Sequence, residues 1–261
     1  MSEKVATTTP AQGKPKPDLS TTVRTLQFAW FVGHVITLIS VFFYGLTYLK
    51  VGAGCYKFWY QLALLGIIES FGILIFQFVQ KSGLNISLLL NDDNTQYFVL
   101  ASFLLLLRPY VLVILLPFAL FSLFHVLAYT NGYLLPIFSL EDHAVAKMIN
   151  NFVSTNNTKS IQLASIFEFY TYAWLVVRVL AFRKRSLTPF LLYSIFIKVR
   201  FERSVFTRNY VKSIEVHVDS LVNQYAAQVP AIKNSWVQVK NVLRNLGGIY
   251  IVNDYTKEKA T

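Results

Sequence analysis

The sequence predicts an all-α, polytopic helical membrane protein with about four transmembrane helices and interfacial amphipathic helices on the cytosolic side. Three observations carry this. Of 261 residues, 54% are hydrophobic and only 14% charged, with 22 Phe and 15 Tyr and a mean hydropathy of +0.47, whereas soluble domains carry about a quarter charged residues. The apolar residues are concentrated in charge-poor runs of membrane-spanning length. Finally, the net charge of +11 is lopsided, with 13 Lys or Arg against five acids from Arg183 to the end, which is the pattern of a basic region beside anionic headgroups.

Residues 1–22, rich in Thr, Pro, Lys and Gly, hold little to bury and read as a disordered cytosolic arm. A transmembrane bundle is expected over 23–185. Its first span, 26–49, is free of charge between Arg24 and Lys50 and reads as an uncleaved anchor, with Trp30 and Tyr48 suited to the two interfaces. The second, 58–79, carries Glu69 near its middle, a costly group that needs a partner, a proton or the bundle interior. In the connection 80–96, Asp92 and Asp93 read as a helix cap or solvated turn rather than a metal site, since no third carboxylate or His accompanies them.

Residues 97–130 are too long for one straight pass, and Pro109 removes a backbone donor and biases Arg108 away from helical geometry. A short membrane-inserted helix over 97–107 is expected to lead into a full span over 110–129, the whole crossing once in net. A short helix around 139–152, opened by Ser139 and Asp142 as a capping box, should precede the last span at 161–182. That span contains Glu168 and Arg178, too far apart on one helix to pair. Arg108 is the expected partner of Glu168, and Arg178 can snorkel to the basic end at Arg183-Lys184-Arg185.

Basic residues are dense before the first span and after the last, which by the positive-inside rule puts both termini in the cytosol and requires an even number of crossings, here four. On that arrangement the 131–160 loop and its sequon at Asn156 are lumenal.

The tail divides into an interfacial and amphipathic region, 186–228, and a basic amphipathic helix with its end, 229–261. Residues 189–201 are apolar and aromatic but too short to span. Tyr210, Ile214, Val218, Leu221 and Tyr225 then recur at helical spacing. From Pro230 a second helix puts Ile232, Trp236, Val239, Leu243 and Leu246 on one stripe, with Lys233, Lys240 and Arg244 beside it and Gly247-Gly248 as a stop. Ile232, Trp236 and Leu243 are the candidate insertion residues; Lys233, Lys240 and Arg244 are the candidates for attraction to anionic lipid.

Cys55 is the only cysteine, so no intramolecular disulfide and no cysteine-based metal cluster can form. No zinc, helix-turn-helix or RNA-binding signature accompanies the charge, which argues against nucleic acid as a partner. No catalytic motif, phosphate loop or cofactor motif is present, and the chain reads as non-enzymatic. Two alternatives stay open: an adaptor whose basic tail binds a soluble receptor, and a small transporter or channel using Glu69, Arg108 and Glu168. Self-association is also open.

A group of residues adds a resemblance. Pro117, Leu120, Phe121, Ser122, Leu123, His125, Tyr129 and Thr130, followed by Glu168 and then by Pro189, Phe190, Tyr193, Phe196, Arg200 and Phe201, resemble in order and spacing the signature of the transmembrane protein 33 family. This family is also called the Krüppel-homologue-2 or tetra-spanning endoplasmic reticulum family. The resemblance covers about residues 97–225, and within it Pro117, Ser122, His125, Tyr129, Glu168, Pro189, Tyr193 and Arg200 stand for the signature. It implies residence in the endoplasmic reticulum membrane and nuclear envelope, and a part in tubular reticulum organisation and nuclear pore assembly or distribution; the kinked central stretch and the interfacial helices of the tail, by occupying the cytosolic leaflet, are expected to stabilise curved membrane. Partners implied in the same way are reticulon-type proteins, nucleoporins and an import receptor.

Overall fold

A computed structural model gives the architecture and describes residues 18–225 and 229–252; the expected arm over 1–17 and the tail end over 253–261 lie outside the described residues. Among the described residues every regular element is helical. The helices are α1 (Leu19–Thr22), α2 (Leu26–Tyr48), α3 (Tyr56–Ser82), α4 (Ile86–Asn91), α5 (Asp93–Leu107), α6 (Leu112–Tyr129), α7 (Leu135–Ile137), α8 (Ala144–Leu180), α9 (Leu187–Arg203), α10 (Val205–Tyr225) and α11 (Pro230–Gly247). A π-helical turn, Thr130–Leu134, joins α6 to α7. Residues 18–22, expected within the arm, instead form the turn of α1, where Thr22 Oγ1 donates to the Asp18 carbonyl. Four segments are long and apolar enough to cross a membrane: Leu26–Tyr48, Ala53–Ser82, Leu112–Ile137 and Ala144–Leu180.

Local chemistry sets the boundaries. Thr25 caps α2, its hydroxyl accepting from Phe28 N at 3.1 Å, and Gly52, at φ +62°, makes the turn toward α3. Asp92 caps α5 through Thr95 N at 2.9 Å, the role expected of it. The capping box expected at Ser139 is not used. His143 caps α8 through Val145 N, and Ser139 sits at φ +57° in the preceding turn. With its start there, α8 is one continuous 37-residue helix, about 55 Å long, so the last span and the loop helix before it are a single element. Its first half is polar and mostly exposed.

The core is an aromatic and aliphatic cluster in which Tyr60, Leu64, Ile67, Leu104, Ile114, Leu115 and Leu175 are essentially inaccessible. Helix directions follow from who meets whom. α2 and α3 run antiparallel and cross closely at Gly33 and Gly66, where a methyl on Gly66 would come within 2.6 Å of the Gly33 carbonyl. α6 runs antiparallel to α2: Tyr129, at its end, stacks on Phe31 near the start of α2 (4.6 Å), whereas Tyr110, just before its start, meets Tyr56 and Tyr60 at the α2–α3 turn. α5 runs antiparallel to α3, with Tyr97 stacked on Phe71.

The central stretch is therefore a hairpin rather than a single net crossing. Arg108 and Tyr110, on either side of the buried Pro109, both take positive φ (48° and 52°). Those two left-handed residues turn the chain back, a conformation that costs non-glycine residues energy and is held by the packing around it. α8 in turn lies antiparallel to α6, with Phe124 stacked on Phe152 at 5.6 Å, and α9 antiparallel to α8, with Tyr172 stacked on Phe190 at 5.7 Å. Thus α2, α5 and α8 point one way and α3, α6 and α9 the other. The chain enters α2 and leaves α9 at the same end of the bundle. Arg183, Lys184 and Arg185 accordingly lie with Lys50, Lys57 and Arg108 at the α2–α3 turn end of the bundle, opposite Arg24.

Candidate functional site

Apart from Glu69 and Arg108, the residues singled out in the sequence gather mainly in three places: two polar nodes inside the bundle and a helical hairpin outside it.

The first node is built where α5, α8 and α9 meet. Glu168 is fully buried on α8. Its Oε1 accepts the Tyr97 hydroxyl at 2.6 Å, and its Oε2 lies 3.5 Å from Arg200 Nε. Arg200, 4% exposed, also pairs with Asp93 at 3.1 Å and sits 5.2 Å from the Tyr97 ring centre. Glu168 is thus neutralised by Arg200 and Tyr97, not by Arg108, which is exposed at the hairpin turn with its Nε on the Leu105 carbonyl. Arg108 cannot reach inward because the turn that places it also points the chain out of the bundle. Tyr193 is buried one turn before Phe196, and Pro189 is buried in the first turn of α9, where a missing N–H leaves no helix bond broken. Arg178, rather than snorkelling freely, contacts Ser186 at 3.3 Å across the α8–α9 turn.

The second node joins α2 to α6. His34 Nδ1 meets Ser122 Oγ at 2.9 Å, and the His34 and His125 rings lie 4.8 Å apart with Trp30 packed on both. Tyr129 closes the end of the node against Trp30 and Phe31. Pro117 acts on the opposite side of α6. Lacking an N–H, it frees the Val113 carbonyl one turn earlier, and Thr171 Oγ1 of α8 donates to that carbonyl at 3.0 Å. The proline thereby creates the acceptor that ties α6 to α8.

Chemically, these nodes are fasteners. Ser122 and His34 touch, but His34 Nε2 has no hydrogen-bond partner among the described residues, so no carboxylate orients the ring as a general base would require. No group of three His, Cys, Asp or Glu could hold a metal ion among the described residues. The three groups of the transporter reading are not brought together: Glu69 is on the outside of α3, Arg108 at the turn and Glu168 inside.

The third place is the α10–α11 hairpin. Asp219 accepts from Trp236 Nε1 at 2.6 Å and from Lys240 Nζ at 2.7 Å, and Glu215 accepts from Arg244 at 2.8 Å. The bonds from Lys240 and Trp236 hold the Asp219 carboxyl below its usual range. Of the three cations expected to face lipid, two are therefore engaged by α10, and Trp236 is turned toward α10 as well; Lys233 is exposed. Ile232, Val239, Leu243 and Leu246 remain about half exposed, at 47–58%. After α11 the chain is pinned to α9, where buried Glu202 accepts from the backbone N–H groups of Ile251 (2.9 Å) and Val252 (2.7 Å), and Lys198 donates to the Gly247 carbonyl.

Tyr97, Glu202, Glu215 and Asp219 were not singled out from the sequence, and Asp93 was read only as part of a helix cap or solvated turn, not as a partner of Arg200. The signal for the hairpin was present, since acids four apart on α10 face cations four apart on α11, the register of an antiparallel pair. Nothing in the sequence marks Glu202.

The profile of the family described as Transmembrane protein 33/Nucleoporin POM33 matches residues 10–246. The chain is 28% identical over 257 residues to the nucleoporin POM33 of Chaetomium thermophilum, covering 88% of this chain and 89% of that protein. It is 30% identical over 243 residues to the pore membrane protein of 33 kDa of Saccharomyces cerevisiae, covering 85% and 84%. It is 29% identical over 242 residues to tetra-spanning protein 1 of Schizosaccharomyces pombe, covering 86% and 85%. No solved structure matches the chain. On the profile match and these relatives, which span most of its length, the chain belongs to the transmembrane protein 33/POM33 family.

Proposed function

We propose that the chain is a non-enzymatic protein of the endoplasmic reticulum membrane and nuclear envelope that stabilises curved membrane and supports nuclear pore organisation, with both termini in the cytosol. The names of its relatives, which are pore membrane and nucleoporin proteins, support the location. One observation carries the mechanism: α11 leaves a stripe of Ile232, Val239, Leu243 and Leu246 uncovered while the α10 acids and the α9 clasp hold the helix to the bundle. An anchored amphipathic helix with an unpartnered apolar face inserts into the nearer leaflet, where it takes up area and favours positive curvature. Fully burying a Leu or Ile gives about 1.5–3 kcal/mol, so these half-exposed side chains contribute about 1 kcal/mol each. Hydrophobic insertion dominates, because Lys240 and Arg244 already have anionic partners. That engagement also leaves the receptor-binding adaptor reading with less support.

The test is reconstitution of the full chain at fixed protein-to-lipid ratio, wild type against an Ile232→Asp, Leu243→Asp, Leu246→Asp variant, with vesicle diameter measured by electron microscopy. Wild type should give smaller vesicles or tubules. Equal diameters, with equal incorporation, would sink the mechanism. Imaging of the tagged chain as a reticular and nuclear-rim signal tests the location.

A further inference from the structure

Three charged groups in or beside the apolar helices have clear partners: Glu168 has Tyr97 and Arg200, Asp93 has Arg200, and Arg178 has Ser186. Glu69 differs. It is the middle residue of α3, a 27-residue helix about 40 Å long, and so sits near the centre of a bilayer about 30 Å thick. It is exposed, and among the described residues none hydrogen-bonds or ion-pairs with it.

Its surroundings form a surface. Phe58, Leu65 and Phe76, at 57%, 50% and 51% exposure, recur with Glu69 at helical spacing along the same outer face of α3. The carboxylate leans over the place where α2 and α3 approach most closely; a methyl on Gly33 would lie 3.3 Å from its Oε2. The result is a shallow seam with apolar walls and one acid at mid-depth. A charged side chain at that depth costs about 2.5–3.5 kcal/mol or more if it faces acyl chains, and nothing among the described residues offsets it.

We propose that the α2–α3 seam around Glu69 is a docking surface for a transmembrane helix of another protein that carries a basic side chain near its midpoint. Charge complementarity selects this occupant. A second copy using the same seam brings another acid to the site. Among the described residues, the basic groups nearest the membrane interior are engaged or misplaced, since Arg178 is held by Ser186 and Arg108 lies at the hairpin turn. A basic partner removes the cost on both helices at once, because each charge is unfavourable alone in the membrane and the pair is neutral.

The full chain, carrying a photoreactive residue at Leu65 or Phe76, is crosslinked in its native membranes, with Ile195 on the exposed side of α9 as control position. The expected result is one adduct of common mass from positions 65 and 76, absent from 195, whose crosslinked peptide maps to an apolar segment containing Lys or Arg. Glu69→Leu should reduce that adduct at least tenfold, as should Leu in place of the partner's basic residue, whereas Glu69→Gln should retain part of it. Unchanged detergent unfolding of Glu69→Leu separates lost docking from lost folding; if that variant unfolds, Glu69→Gln and the partner's substitution decide. Adducts with lipid alone, a product containing only two copies of this chain, or an adduct indifferent to Glu69→Leu would each overturn the proposal.

Discussion

Replacing Arg200 with Met tests whether the α5–α8–α9 node holds the bundle together. Arg200 is 4% exposed and faces Glu168, which is fully buried, and Asp93, whose side chain is 52% exposed. Removing the guanidinium leaves Glu168 with one donor, Tyr97, in an interior that water does not reach. Stranding one member of a buried ion pair costs about 3–5 kcal/mol; the lost contact to half-exposed Asp93 adds at most about 1 kcal/mol, and the lost contact with the Tyr97 ring about 0.5–1 kcal/mol. At about 2–4 °C per kcal/mol for a chain of this size, these terms together mean that Arg200→Met should lower the unfolding midpoint in mild detergent by roughly 7–28 °C. The companion variant Arg200→Met, Glu168→Leu removes the stranded charge and should regain about 2 kcal/mol or more of that loss. A single-variant loss under about 1 kcal/mol, or strict additivity in the cycle, would refute the view that the node is a coupled fastener.

Gly66→Ala should separate α2 from α3 and cost about 1–3 kcal/mol, because its methyl meets the Gly33 carbonyl at 2.6 Å, whereas Gly45→Ala, with nothing within 4 Å, should unfold like wild type. Protease sites placed at the N-terminus and between Lys184 and Ser186 should be cut from opposite sides of sealed microsomes; cleavage of both from one side would contradict the hairpin at Arg108–Tyr110. Asp219 has a depressed carboxyl, so its hold on Lys240 and Trp236 is fully present above the ordinary Asp value of about 3.9 and is lost only as pH falls through the lower folded value. Quenching of Trp236 in a chain whose other Trp residues are Phe should accordingly be flat from pH 8 to 5 and change only in stronger acid. Ser122→Ala should cost about 1 kcal/mol in detergent unfolding through the lost His34 contact.

The long apolar helices and the break at Arg108-Pro109 were legible because they follow from composition and from the covalent limits of proline, both local properties. The cap at Asp92 was legible for the same reason. The partner of Glu168 was not. Arg108 and Arg200 are equally basic in one dimension, and only the turn at Arg108–Tyr110, which directs the first outward while α9 folds the second inward, distinguishes them. The start of α8 was misplaced because Ser139 and Asp142 have the chemistry of a cap, while the chain around Ser139 is committed to a left-handed turn that leaves the role to His143.

The sequence by itself determined that this protein is helical, that it enters the membrane, which family it belongs to and that its tail carries an amphipathic basic helix, since hydrophobic period, run length and residue order are readable along the chain. Only the tertiary structure decided that the central stretch folds back at Arg108–Tyr110, which charges meet inside the bundle, and that Lys240 and Arg244 face α10 while Glu69 faces outward. The physical reason is that a charge's effect depends on what stands within a few ångströms of it, and in a helical bundle those neighbours come from helices far apart in sequence.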